Sequence, residues 1–436
     1  MDATIATELG VFPTDWRVVR FDSIFDVQQG KQVSKGNRVG ENQRPFLRTK
    51  NVSWNGLDLA DLDEMHFSEA EEARLALKPD DLLICEGGDI GRTTIWRGAI
   101  SDCYYQNHLH RARIRDTKTA DAQFVLFWLW YAFEFGHLYF GRGNVTTIPN
   151  LSQSKLRELP LAIPPLAEQR KIAGVLGLVQ RAMEQQERLI ALTTELKKAL
   201  LHKLFTEGLR GEPQKQTEIG PVPQSWDVVE LGNVISRSPK NGLYKHNSAY
   251  GSGTPILRIN DFSNDGDVVV SATHRVATDA GETELYGLRE GDIVTNRVNS
   301  LSHLGKTALI GRLVEPMVFE SNMMRFRIDE SRAILSYVLR LLNSPVCKKQ
   351  FLGTAKRAVG QASINQGNLR AIKLPLPSVS VQQELVTILD TVIRKVDIHQ
   401  RKHAALTALF HTLLHQLMTA QLRVHNLDLS VLEAMQ

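Results

Sequence analysis

Two stretches of this chain carry the same seven-residue apolar repeat, and that pair of repeats limits the architectures open to it. From Leu385 the inward positions step by four and three: Leu385, Leu389, Val392, Val396, His399, His403, Leu406, Phe410, Leu413, Leu417 and Ala420. Ile172, Leu176, Val179, Met183, Gln186, Ile190, Thr193 and Lys197 take the same steps, followed by Leu200 and Leu204, each 213 residues before its counterpart (Ile172 to Leu385). A sustained period of 3.5 residues predicts a long helix packed lengthwise on another helix. The two repeats supply each other's partner.

The blocks between the helices repeat as well. Pro13, Trp16, Val18 and Val19 recur as Pro223, Trp226, Val228 and Val229. Asp81 answers to Asp292, Gly91-Arg92-Thr93 to Gly305-Lys306-Thr307, and Arg111 and Arg113 to Arg325 and Arg327. Conserved order at near-constant spacing marks a tandem duplication. Short β-rich segments predict strands at Trp16–Arg20, Leu82–Cys85, Thr93–Trp96 and Arg111–Arg115, with counterparts at Asp227–Leu231, Ile256–Ile259, Asp292–Asn296, Thr307–Ile310 and Met324–Ile328. One late helix is expected in each block, Ala122–Leu138 and Ile334–Leu342. Each block is therefore α+β. The boundaries fall at 1–163 and 211–376 for the blocks, 164–210 and 377–423 for the rods, and 424–436 for a tail. Gly208, Gly211, Pro213, Gly220, Pro221 and Pro223 read as a hinge.

Composition sets the class. With 42% hydrophobic and 23% charged residues the chain has ample core. No run approaches the apolar length of a membrane span, and the polar start is not a signal peptide. Three cysteines, Cys85, Cys103 and Cys347, suit neither a disulfide framework nor a zinc site, so a reduced, cytoplasmic setting is expected. A net charge of +4 permits nucleic-acid binding without requiring it.

Catalytic motifs are missing or incomplete. Gly305-Lys306-Thr307 ends like a phosphate loop, but Ser300 stands where the leading glycine belongs. Asp80 and Glu86 echo a nuclease carboxylate pair, yet Gly88 occupies the place of its lysine, and too few groups converge for metal-assisted hydrolysis. Residues 87–91 lack dinucleotide-loop spacing. No Asn/Asp-Pro-Pro-aromatic stretch of a nucleic-acid aminomethyltransferase is present. His399 and His403, one turn apart, could bind a metal; the matching slot Gln186 favours register pins instead.

Cations and amides cluster in equivalent places. Lys31, Gln32, Lys35, Arg38, Arg44, Arg48, Lys50 and Asn51 lie within about twenty residues, and Lys240, Lys245, Arg258 and Asn260 echo them. A second basic loop precedes each rod: Arg142 and Asn144, then Lys356, Arg357 and Gln361. Arg297 is a weaker candidate. Cations anchor phosphates, and Arg, Asn and Gln can read base edges, so these residues are the candidate DNA contacts. The plain alternative is a solvated surface.

The sequence resembles the specificity subunits of type I restriction–modification systems. Pro13-x-x-Trp16, the turns at Asp81 and Gly291-Asp292, and the helix entry from Ile163 through Pro164, Pro165, Leu166, Glu168, Gln169, Arg170 and Lys171 to Leu176 carry the likeness. The second entry, Leu376 to Leu389, departs in placing Val381-Gln382 where the first has Glu168-Gln169. The resemblance implies two target-recognition domains, each reading half of a split site in double-stranded DNA, joined by an antiparallel intramolecular coiled coil. It implies two modification subunits docked near Glu168, Gln169, Arg170, Gln382 and Gln383, and restriction (motor) subunits. It places S-adenosylmethionine, ATP and Mg2+ in those partners, with no cofactor, metal or catalytic residue here and no membrane. A helix of about 36 residues is ~54 Å long, enough to hold two readers one DNA turn of ~34 Å apart. Duplication with antiparallel helices gives a pseudo-twofold, hence two equivalent partner positions. The competing readings are a coiled-coil scaffold whose blocks bind protein, and a self-contained modification enzyme, which the missing methyltransferase motifs oppose.

Overall fold

The computed structural model describes residues 3–139, 150–263, 266 and 268–426. The chain divides into two compact units, Met1–Arg188 with Gln400–Gln436, and Leu189–His399. Each unit takes its globular block plus one end of each long helix, Leu166–Glu207 and Val379–Met418.

The first unit opens with a hairpin, Thr4–Thr7 against Gly10–Pro13. Arg17–Arg20 then pairs with Pro160–Ile163, which joins the start of the block to the strand that leads into the first long helix. Between them stands an antiparallel sheet in the order Thr93–Ile95, Leu82–Cys85, Leu109–Ile114, Phe25–Gln29. A second sheet orders Tyr104–Tyr105, Gln43–Leu47 and Asp63–His66. Trp16, Phe21, Phe25, Phe124, Phe127 and Trp128 fill the core, and Ile172, Leu176 and Val179 join Phe410, Leu414 and Leu417 in the same cluster. The start of one long helix therefore packs with the end of the other. Phe410 wedges against Trp130 and Phe127 at ring separations of 4.9 and 5.9 Å.

The second unit repeats the scheme. Its hairpin is Gln214–Thr217 against Gly220–Pro223, and Asp227–Glu230 pairs with Lys373–Leu376. The main sheet orders Ile235–Asn241, Met323–Ile328, Ile293–Asn296, Thr307–Ile310 and Val268–Val269. Leu204 and Phe205 share a core with Tyr337, Leu385 and Leu389, so here the end of the first helix packs with the start of the second. Taken unit by unit, the long helices run antiparallel, and the fold is α+β with duplicated blocks.

Three expectations are corrected. The expected hinge at 208–223 includes a hairpin: Pro221 and Pro223 sit in edge positions of a two-stranded pair, where a missing N–H costs little. The late helix of the first block ends its α portion at Trp130 and continues as a wider π turn, Tyr131–Phe135, before left-handed His137 (φ 46°). The second rod stops at Met418, so Ala420 lies in the turn beyond it with φ 55°.

Details repeat at atomic scale. Gly30 and Gly242 each lie so close to a neighbouring strand that a Cβ would collide with the carbonyls of Tyr105 and Gln106, or of Phe319 and Glu320. Glycine is the residue that fits.

Candidate nucleic-acid interface

The duplication also shows which of the sequence-identified cations are internal struts. Lys31 donates to Glu71 at 2.5 Å and to the His66 carbonyl at 2.8 Å, with a side chain only 9% exposed. Glu71 is the third residue of a helix capped by Ser68. In the second unit Lys245 meets Glu282 at 2.6 Å, and Glu282 holds the same capping position behind Asp279. Both lysines tie a loop to a helix N-terminus, where an acidic residue is favoured by the helix dipole. Asn51 is 3% exposed; its Oδ1 accepts from the Arg48 N–H and its Nδ2 donates to the Asp58 carbonyl. Asp261 makes the matching turn by accepting from the Arg258 N–H at 2.7 Å. Lys31 and Asn51 thus have structural partners inside the fold.

Other candidates are presented outward. Gln32, Lys35 and Arg38 are exposed on the loop that follows Lys31. Arg48 pairs with Asp63 at 2.7 Å yet stays 40% exposed, and hydrogen bonding to Arg48 holds the Asp63 carboxyl below its usual range. In the second unit Arg258 contacts Glu320 at 3.4 Å and lies over the Tyr250 ring, and Asn260 is exposed. Lys240 lies 5.2 Å from the centre of the Tyr286 ring. Arg297 donates to the Ser321 carbonyl at 3.1 Å. Arg142 and Asn144 lie outside the described residues.

The basic loop at 353–361 is better ordered than a loop. Lys356–Ala358 and Gln361–Ser363 form a hairpin, and Val298–Asn299 adds a third strand beside Gln361–Ser363. Lys356, Arg357 and Gln361 are all exposed, and the tip is Val359-Gly360, with Gly360 at φ 72° and Val359 fully exposed. Val359-Gly360 is not one of the turn pairs that mark a two-residue hairpin, so the residues gave no sign of this ribbon beyond the glycine. The DNA major groove admits a two-stranded β-ribbon, the form of the hairpin Lys356–Ala358 with Gln361–Ser363.

The look-alike motifs have structural explanations. Lys306 donates to the Phe262 carbonyl at 2.7 Å and sits over that ring, and Gly305, at φ 74°, packs against Phe351. Burial raises the thiols of Cys85 and Cys103 to about 11 and about 12, which keeps them protonated. Among the described residues no cluster of three or more His, Cys, Asp or Glu could hold a metal. His403 instead meets Glu187 at 3.0 Å.

The helix entries are likewise internal. Gln169 is wholly buried: Oε1 accepts from the Asp121 N–H, and Nε2 donates to the carbonyls of Pro164 and Thr119. Gln382, also wholly buried, accepts from the Ile334 N–H and donates to the Pro377 carbonyl. Glu168 accepts from Arg423 at 2.8 and 2.9 Å, and Arg423 also reaches Asp15 at 2.8 Å. Glu168, Gln169 and Gln382, expected near the docked partners, therefore hold internal contacts within their own units. Arg170 and Gln383 remain exposed.

A family model described as the type I restriction modification DNA specificity domain matches the chain twice, over residues 13–194 and 223–408. The chain belongs to that family. The type I restriction enzyme MjaVIII specificity subunit of Methanocaldococcus jannaschii is 23% identical over 426 residues, covering 95% of each chain. The StySPI specificity subunit of Salmonella potsdam is 21% identical, covering 96% of this chain and 93% of that one. The fold matches the crystal structure of a type I restriction–modification S subunit from M. genitalium with a TM-score of 0.58 at 17% identity, over 95% and 99% of the two chains. Both specificity domains of the family model run from the Pro-x-x-Trp turn into a long helix, so they coincide with the duplication read from the residues. Among the described residues no helix is long and apolar enough to cross a membrane.

Proposed function

We propose that this chain is the sequence-reading, non-catalytic subunit of a type I restriction–modification complex. Each duplicated block reads one half of a split site in double-stranded DNA, and the long helices receive two modification subunits, which methylate adenine. S-adenosylmethionine, ATP and Mg2+ act in those modification subunits and in restriction (motor) subunits, and the setting is the cytoplasm. The observation that carries the reading is the exposed three-stranded ribbon built on Lys356, Arg357 and Gln361: three outward side chains able to bond phosphates or base edges, on a backbone fixed by pairing to Val298–Asn299. Gln32, Lys35 and Arg38 are an outward set in the first block, in the cluster that Lys240, Lys245, Arg258 and Asn260 echo in the second.

The test is selection from random duplex DNA by the chain bound to its modification subunit. The expected result is enrichment of a two-part motif with a spacer of fixed length and free sequence. Enrichment of nothing, or capture of protein by the isolated blocks with no DNA bound, would favour the scaffold reading instead.

A further inference from the structure

The two blocks place the same arginines on the same strand and surround them with opposite charges. In the first unit, Arg113 stands directly across from Asp26 and Arg111 across from Gln28. Arg111, 4% exposed, reaches Asp26 at 2.5 Å, and Arg113 grips the buried Asp81 with two bonds of 2.7 Å. Two arginines therefore meet two carboxylates.

In the second unit bulges shift the register, and the strand opposite the arginines carries cations in place of the carboxylate and amide. Arg327 stands across from Arg237, and Arg325 across from Lys240, with a register shift between the two pairs. Like charges directly opposite on a sheet repel. Asp292 is the carboxylate among the described residues that meets these groups, at 3.1 Å from Arg327 and 4.0 Å from Arg325. Arg325 is 1% exposed; its guanidinium donates to the Gly287 carbonyl and lies over the Phe319 ring, but its Nε has no hydrogen-bond partner, and among the described residues Arg237 has no ion pair. Arg289 adds to the positive field. Burial together with Arg237 lowers the proton affinity of Arg325, and burial with Arg325 and Arg237 does the same for Lys240. A buried arginine held only loosely by its anion is costly, so a strand pair that sets Arg237 and Lys240 across from Arg327 and Arg325, with Asp292 meeting only the latter two, can take a further negative charge.

We propose that Arg237, Lys240, Arg325 and Arg327 form an oxyanion site of the second unit that takes a phosphate group, from either a DNA backbone or free inorganic phosphate. The first block, with Asp26 and Gln28 in the same places, lacks this site. The two blocks thus differ in how strongly they hold phosphate, independently of which bases they read. The DNA source rests on the function proposed above; the site itself does not.

The experiment compares the full chain with Arg237→Asp, which restores the pairing of the first unit, and with Lys240→Met. Thermal midpoints are measured in inorganic phosphate and in chloride at equal ionic strength, and DNA binding by the complex is measured against salt. Arg237→Asp folds with a chloride midpoint at or above that of the parent, because its charge pattern is the one the first block uses. The parent midpoint rises in phosphate by about 2–4 °C and both variants lose that rise. If the slope of log affinity against log salt also falls by about one in the variants, the source is a DNA phosphate. A lost phosphate response with an unchanged DNA slope assigns the site to free phosphate, and a reduced slope alone assigns it to DNA. Equal phosphate responses with equal slopes in all three proteins overturn the site.

Discussion

Gln169 and Gln382 perform the same task in the two units: each is a wholly buried amide in the first turn of a long helix that binds the helix entry to its own globular block. One accepts from the Asp121 N–H and donates to the Pro164 carbonyl, and the other accepts from the Ile334 N–H and donates to the Pro377 carbonyl. The amide is suited to this because it donates and accepts at one site without carrying charge into the core. It sets the direction in which each helix leaves its block.

Replacing either amide by leucine strands backbone groups that have no water to turn to. Gln169→Leu and Gln382→Leu should each lower stability by about 2–4 kcal/mol, since each orphans at least two buried partners. Urea denaturation followed by circular dichroism measures it. A loss below about 0.5 kcal/mol at both sites would mean that the clamps are incidental.

The buried carboxylates give a second comparison. Asp81 and Asp292 are both fully buried and pair with Arg113 and Arg327. Asp81→Asn leaves Arg113 partly exposed to water, whereas Asp292→Asn removes the carboxylate beside the buried Arg325 as well. Asp292→Asn should therefore be the more damaging, costing about 3–5 kcal/mol. Denaturation midpoints of the two variants decide the order, and the reverse order would contradict the charge asymmetry described above.

Much of this was legible in the sequence, and the failures share one cause. The seven-residue period located the long helices because burial along a helix leaves a spacing that residue types record. The duplication likewise survived as Pro-x-x-Trp turns and Asp–Arg spacings. Polarity is a poorer guide. Gln169 in a charged helix entry, Lys31 in a basic loop and Asn51 beside Lys50 look like surface groups by type, yet each is consumed by internal hydrogen bonds. Nothing in a residue's identity separates a satisfied buried amide from an exposed one. The strand pairs Arg327–Arg237 and Arg113–Asp26 were equally hidden, because cross-strand neighbours are set by register.

His110 makes the first unit sensitive to acid. It is wholly buried, Nε2 meets the Leu151 carbonyl at 2.8 Å, and Nδ1 has no partner. With Nε2–H donating, protonation would add an Nδ1–H with nothing to receive it, and burial lowers the pKa from 6.5. A histidine depressed in the folded state binds its proton more readily unfolded, so its contribution is present above pH 6.5 and is lost as pH falls toward the folded value. Midpoints measured from about pH 7 to pH 5 should fall, and His110→Gln should flatten that part of the curve. An equal slope in the variant would place the acid sensitivity elsewhere.

The central claim is that two copies of one domain read two halves of one DNA site, and methylated-adenine mapping tests it most directly. In cells carrying this chain with its modification subunit, the map should show a split motif. Lys356→Ala with Arg357→Ala should relax or change one half and leave the other half and the spacer as they were. A continuous motif, or a change that strikes both halves together, would contradict the account.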